Sequence, residues 1–141
     1  MEGEQMYNTI IVPIDLSHEE RASHMLEAAK RLGGSSAKVY VLNVFDDVPG
    51  YVAAELPADI IENSKNASMQ RLGGIVAESG VDAEAVIRSG QPARGILDLA
   101  EDVKADLIVI ASHKPGFQDY LLGSTASRVV RHATCPVFVI R

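Results

Sequence analysis

The apolar positions of this chain fall into two alternating kinds of segment. Thr9 to Ile14, Lys38 to Phe45, Ala83 to Ile87, Leu107 to Ile110 and Pro136 to Ile140 are short runs, rich in Val and Ile. Apolar residues on consecutive positions predict strands covered on both faces. Between these runs the spacing changes. Ala22, Met25, Leu26, Ala29 and Leu32 recur at three and four, as do Ala93, Ile96, Leu97, Ala100 and Val103. Each set forms the single stripe of an amphipathic helix.

The helix ends carry local signals. Ser17 followed by Glu20 reads as a capping box, and Gly33-Gly34 can end that helix in a left-handed conformation. Pro92 suits a first helical position, and Gly80 suits the end of the preceding helix. The segment from Pro57 to Ser79 is expected to be helical. Gly73-Gly74 and several Ser and Asn in its interior favour a bend or a late start. Asp46 to Leu56 reads as a longer loop. Five strands separated by four helices predict an α/β fold, a mostly parallel sheet with helices on both faces and right-handed crossovers. No internal repeat and no Pro- or Ser-rich linker interrupts the alternation, so residues 1–141 are expected to form one domain. Residues 1–7 are expected to be a flexible N-terminal extension.

In such sheets, ligands bind beyond the carboxyl ends of the strands, where the strand order reverses. That rule selects Pro13-Ile14-Asp15, Val44-Phe45-Asp46 and Ala111-Ser112-His113. Beyond the last of these, Gly123-Ser124-Thr125 has the composition of a phosphate cradle. Glycine lets the backbone approach an oxyanion, the hydroxyls donate, and the N–H groups of a new helix point outward. Lys114 could add a cation. The alternative is that Ser124 or Thr125 merely caps the helix. Asp15 also has two readings, a ligand contact or the start of a turn before Ser17. Gly90-Gln91-Pro92 reads as a turn into a Pro-started helix in preference to a pocket border.

Composition narrows the chemistry. With 141 residues, 47% of them hydrophobic, the chain can build a core without metal or disulfide staples. Its one cysteine, Cys135, has no internal partner and reads as a buried, inert thiol, which fits a reducing compartment. No apolar run approaches the roughly 20 residues that cross a bilayer. Met1 to Asn8 has no basic segment followed by an apolar one, so a cytoplasmic location is expected. A net charge of −6 argues against nucleic acid as a partner but leaves room for one small anion held by backbone N–H groups. His18 and His24 lie six apart, off the one-turn spacing of a zinc helix pair, and His132 suits a last helical turn. No metal is expected other than Mg²⁺ arriving with a nucleotide. Walker, dinucleotide-binding and nucleophile-elbow patterns are absent.

Three stretches carry a resemblance. Pro13-Ile14-Asp15, Leu122-Gly123-Ser124 and Val130-Arg131-His132-Ala133-Thr134-Cys135-Pro136-Val137-Phe138-Val139 are similar to the universal stress proteins, in matching order from about Tyr7 to Arg141. The resemblance implies a doubly wound five-stranded parallel sheet of order 3-2-1-4-5, of the adenine-nucleotide-binding α-hydrolase-like type. It also implies a pocket for ATP, ADP or AMP at the carboxyl edge, and a homodimer. Nucleotide-binding members carry Gly, two residues, Gly, nine residues, Gly, then Ser or Thr. This chain has Ala111 and Lys114 at the first two glycine positions, and a loop one residue shorter before Gly123. The Ser-His-x-Pro opening and Tyr-Leu-Leu-Gly-Ser close resemble a short-loop bacterial subgroup, in which Gly116 would supply flexibility and Lys114 a phosphate contact. Carried over by position, Asp15 would lie under adenine or ribose, with Pro13 and Ile14 shaping that wall. Val44 would offer backbone groups to the base, Ala111 and His113 would lie near ribose, and Gly123, Ser124 and Thr125 at the phosphates.

Three functions follow as expectations. The first is a nucleotide-binding stress-response regulator with little or no turnover. The second is a slow enzyme that hydrolyses ATP or phosphorylates itself, with Ser124, Thr125 and Lys114 as suppliers and His113 as a candidate base. The third is a ligand-free dimeric interaction module. A terminal strand at a bare sheet edge invites a two-fold dimer, which Val139→Lys is expected to weaken.

Overall fold

The computed structural model describes residues 7–45, 50–112 and 122–141. Five parallel strands form one sheet in the order β3-β2-β1-β4-β5. They are β1 (Thr9–Pro13), β2 (Lys38–Phe45), β3 (Ala83–Ser89), β4 (Leu107–Ala111) and β5 (Val137–Ile140). The strand order reverses between β1 and β4, which are hydrogen-bonded neighbours with Ile10 opposite Leu107. The helices are α1 (Ala22–Gly33), α2 (Gly50–Ala53), α3 (Ala58–Ser79), α4 (Pro92–Val103) and α5 (Ser124–His132).

Consecutive apolar residues in the strands serve opposite faces. Ile10, Val12, Leu107 and Val109 belong to a core cluster shared with Met25, Leu26 and Ala29 of α1 and Leu72 of α3. Ile11, Ile108 and Ile110 belong to a second cluster with Ala93, Ile96 and Leu99 of α4 and Ala126 and Val129 of α5. The central strands are therefore covered twice, and a polar residue on either face would displace a packed neighbour. The start of β1 is held from below, where the Asp106 carboxylate accepts the N–H of Asn8 at 2.8 Å and of Thr9 at 2.9 Å.

Four local expectations need correction. Ser17 does not cap α1. Residues Leu16–Arg21 form a 3-10 turn capped by Asp15, and α1 starts afterwards at Ala22 with no side-chain cap. The Asp15 carboxylate is the stronger local acceptor, so it takes the Ser17 N–H and displaces the capping box. Gly34 does end α1 at positive φ, 71°, but its ψ of −166° is extended and not left-handed helical. The segment from Ala58 to Ser79 is one 22-residue helix through Gly73-Gly74 and ends at the left-handed Gly80. Within Asp46 to Leu56, read as loop, Gly50–Ala53 forms a helical turn.

Among the described residues no helix is long and apolar enough to cross a membrane.

Candidate functional site

A cleft of about 440 Å³ opens at the carboxyl ends of β1, β2 and β4, at the switch point between β1 and β4. A second groove, about 530 Å³ and more open, lies between α3 and the ends of β2 and β3. Its ammonium, Lys65, lies over the Phe45 ring, and no unpartnered buried polar group faces it among the described residues. The first cleft is the better-built site.

Pro13, Ile14 and Asp15 form the β1 wall of that cleft. Ile14 is pinned twice to β2. Its N–H donates to the Leu42 carbonyl at 2.8 Å, and its carbonyl accepts Asn43 Nδ2 at 2.9 Å. Asn43 is a buried amide at a strand end, and this bond sets the spacing between the β1 and β2 tips. Asp15 uses both carboxylate oxygens. Oδ1 accepts the Ser17 N–H at 2.9 Å and the Ser17 hydroxyl at 2.6 Å, while Oδ2 lies 3.2 Å from His18 Nδ1. Burial pushes the Asp15 carboxyl up, but Ser17 and His18 outweigh it and hold the group below its ordinary value. Asp15 thus begins the turn and also faces the cleft.

The β4 side is built around Ser112. Its N–H donates to the Ile140 carbonyl at 2.8 Å, and its carbonyl accepts the Gly123 N–H at 2.5 Å. That second bond closes the connection and delivers α5 to the cleft. The N-cap of α5 is Gly123, at φ −66° and ψ 163°, with no side-chain capping bond. Ser124 and Thr125 are the first two helical residues, so the reading of either as the cap is overturned. The N–H groups of the first turn carry a partial positive charge, and among the described residues no side chain caps them.

Ala111, Gly123, Ser124 and Thr125 all line the cleft, as does Val44. His113, Lys114 and Gly116 lie outside the described residues. Three contributors were not read as site residues in the sequence. His18 and Arg21 reach the cleft from the 3-10 turn, and Ile96 from α4. Pro92 has both roles that the sequence reading opposed, first residue of α4 and border of the cleft. Arg21 takes part in no ion pair among the described residues, which leaves its charge to the cleft. The turn carrying it is fixed from α3, since Arg71 pairs with Glu19 and donates to the Leu16 carbonyl at 2.9 Å.

Among the described residues no three His, Cys, Asp or Glu converge as metal ligands. Cys135 is half-buried. Burial pushes its thiol up, and the charge of Asp106 pushes it further, so the reactive thiolate is disfavoured.

The family model of the Universal stress protein family matches residues 6–141. A universal stress protein of Methanocaldococcus jannaschii is 33% identical over 144 residues, spanning 99% of this chain and 85% of the relative. Universal stress protein G of Escherichia coli is 31% identical over 142 residues, spanning 96% of this chain and 100% of that one. Among solved structures, a universal stress protein from Archaeoglobus fulgidus in complex with dAMP superposes with a TM-score of 0.64 at 26% identity, covering 97% of this chain and 100% of that one.

Proposed function

The chain belongs to the universal stress protein family, and from that premise we propose that it binds an adenine nucleotide as a cytoplasmic stress-response regulator with little or no turnover. One observation carries the reading. The N-terminus of α5 opens, without a capping side chain, into a cleft at the strand-order reversal. A helix terminus of this kind favours an anion, because its N–H groups point outward and its dipole is positive there. Arg21 adds a full positive charge on the opposite wall, and apolar Val44, Pro92 and Ile96 suit a planar base. The dAMP complex of the relative from Archaeoglobus fulgidus supports an adenine base together with a phosphate. In this arrangement the phosphates sit at Gly123, Ser124 and Thr125, the sugar near Asp15 and Ala111, and the base against Val44. Any Mg²⁺ comes with the nucleotide.

The same reading includes a homodimer. Among the described residues β5 is at the sheet edge and pairs with β4 alone, and Phe138 on it is 42% exposed. A second copy pairing along this edge satisfies both strands.

Calorimetric titration with ATP and Mg²⁺, repeated on Gly123→Val, tests the site. Gly123 has extended backbone angles that valine also adopts, so the substitution adds a side chain at the cradle without backbone strain. Micromolar to submillimolar binding by the parent, lost in the variant, is expected. Equal binding by both moves the phosphates elsewhere. No binding by the parent leaves a ligand-free interaction module.

A further inference from the structure

Arg21 is half-buried and lines the cleft from the β1 wall. Its guanidinium is charged at any working pH and presents a planar fork of donors that matches a phosphate bidentately. The acids of the same turn do not fill that fork. Asp15 Oδ1 accepts from Ser17 while Oδ2 faces His18 Nδ1, and Glu19 pairs with Arg71. Glu20 is exposed and does not line the cleft. The backbone adds to the same field. Arg21 is the N-cap residue of the 12-residue α1, no side chain caps that end, and Ala22 and Met25 of its first turn line the cleft.

This positive region is separate from the one at α5. Arg21 belongs to the turn that Asp15 caps after β1, whereas α5 is delivered to the cleft from the β4 side by the bond between Gly123 and Ser112. With the 5′-phosphate at the α5 terminus and the sugar near Asp15, a nucleotide with free ribose hydroxyls brings no anion to the guanidinium. We propose that Arg21 forms a second phosphate subsite on the sugar side. The preferred ligand is then an adenine nucleotide phosphorylated on its ribose 2′ or 3′ hydroxyl as well as at the 5′ position. The proposal rests on the nucleotide reading and names the ligand class within it. The Asp15 carboxylate on the same wall opposes a second anion, but its oxygens are already engaged in the turn. A charge-assisted, forked bond to phosphate is roughly twice as strong as a neutral one and offsets that repulsion.

The test is calorimetric titration of the parent, Arg21→Gln and Arg21→Lys with AMP, ADP, adenosine 2′,5′-bisphosphate and adenosine 3′,5′-bisphosphate. The parent is expected to bind one of the bisphosphates about 10-fold more tightly than AMP. Arg21→Gln should bring that ratio close to one, whatever its affinity for AMP. Arg21→Lys should keep part of it, since a point charge remains without the fork. A gain with ADP and none with either bisphosphate would assign Arg21 to the phosphate chain and overturn the ribose placement. A ratio that survives in Arg21→Gln would place the second phosphate on other groups, and a parent ratio of one would remove the subsite. In both cases AMP binding leaves the nucleotide reading standing. A parent that binds none of these compounds overturns the nucleotide reading itself, and the subsite with it.

Discussion

Gly95 of α4 lies directly against Val44 at the end of β2. A Cβ on Gly95 would stand 2.8 Å from Val44 Cγ2 and 3.0 Å from Cγ1. The helix approaches the strand through a missing side chain, and Val44 keeps its place in the cleft wall for that reason.

Gly95→Ala is therefore expected to destabilise the fold. Replacing Gly by Ala inside a helix gains about 1 kcal/mol, but overpacking costs about 1–3 kcal/mol. Both Val44 methyls are blocked, so the overpacking wins. Urea denaturation should show a net loss of about 1 kcal/mol, and nucleotide affinity should fall with it as Val44 shifts. An unchanged midpoint would mean that α4 slides without cost.

Gly73→Ala should do the opposite. Gly73 lies inside α3, and a Cβ there would meet nothing within 4 Å. Only the conformational gain remains, about 0.5–1 kcal/mol. The urea midpoint should rise, and Gly74→Ala should behave alike. A fall at either position would reveal a partner packed on that face of the helix.

Asp15 gives the fold a pH-dependent element. Its carboxyl titrates below its ordinary value of 3.8 in the folded chain. The contribution is therefore complete above the ordinary carboxylate range and is lost as pH falls through the folded value. Asp15→Ala removes the acceptor for Ser17 and should cost about 0.5–1 kcal/mol at pH 7, the low end for a cap. The low end applies because the side chain is 59% exposed. Denaturation at pH 7 and below about pH 4 should show the parent and the variant converging in acid. A constant gap would mean that the turn is held by shape and not by charge.

The dimer test moves from Val139 to Phe138. Val139 packs against the second core cluster, so Val139→Lys would disturb the fold as well as the edge. Phe138 is exposed, and Phe138→Lys places a charge on the free edge strand at little cost to the core. Sedimentation should report a dimer for the parent and a monomer for the variant. An unchanged mass would assign the interface elsewhere.

The central strands were legible because a doubly covered strand is apolar at nearly every position, and few other local structures need such a run. The edge strands β3 and β5, also read as covered on both faces, hold no fully buried residue because each lies at a sheet edge. β2 has the bounds read from its sequence, Lys38–Phe45, and β1 starts at Thr9 as read. The end of α4 was less legible, since Lys104 takes the left-handed position at φ 55° without a glycine to mark it. The misread of Ser17 has a related origin. A capping box and an Asp-started turn use the same residue types; here the Asp15 carboxylate takes the Ser17 N–H, and Arg71 of α3 holds the turn through Leu16 and Glu19.

The sequence alone determined the alternation of strands and helices, the parallel sheet and the places where strand ends meet loops. Each of these follows from the period of apolar residues and from residues with strong local preferences. Which side chains share the cleft was decided only by the tertiary structure. Asp15, Ser112 and Gly123 are separated by up to 108 positions in the chain, and they meet because β1 and β4 are neighbours in the sheet. Arg21 and Pro92 join them through the docking of helices on opposite faces. No local preference encodes such meetings, since they depend on where whole elements come to rest.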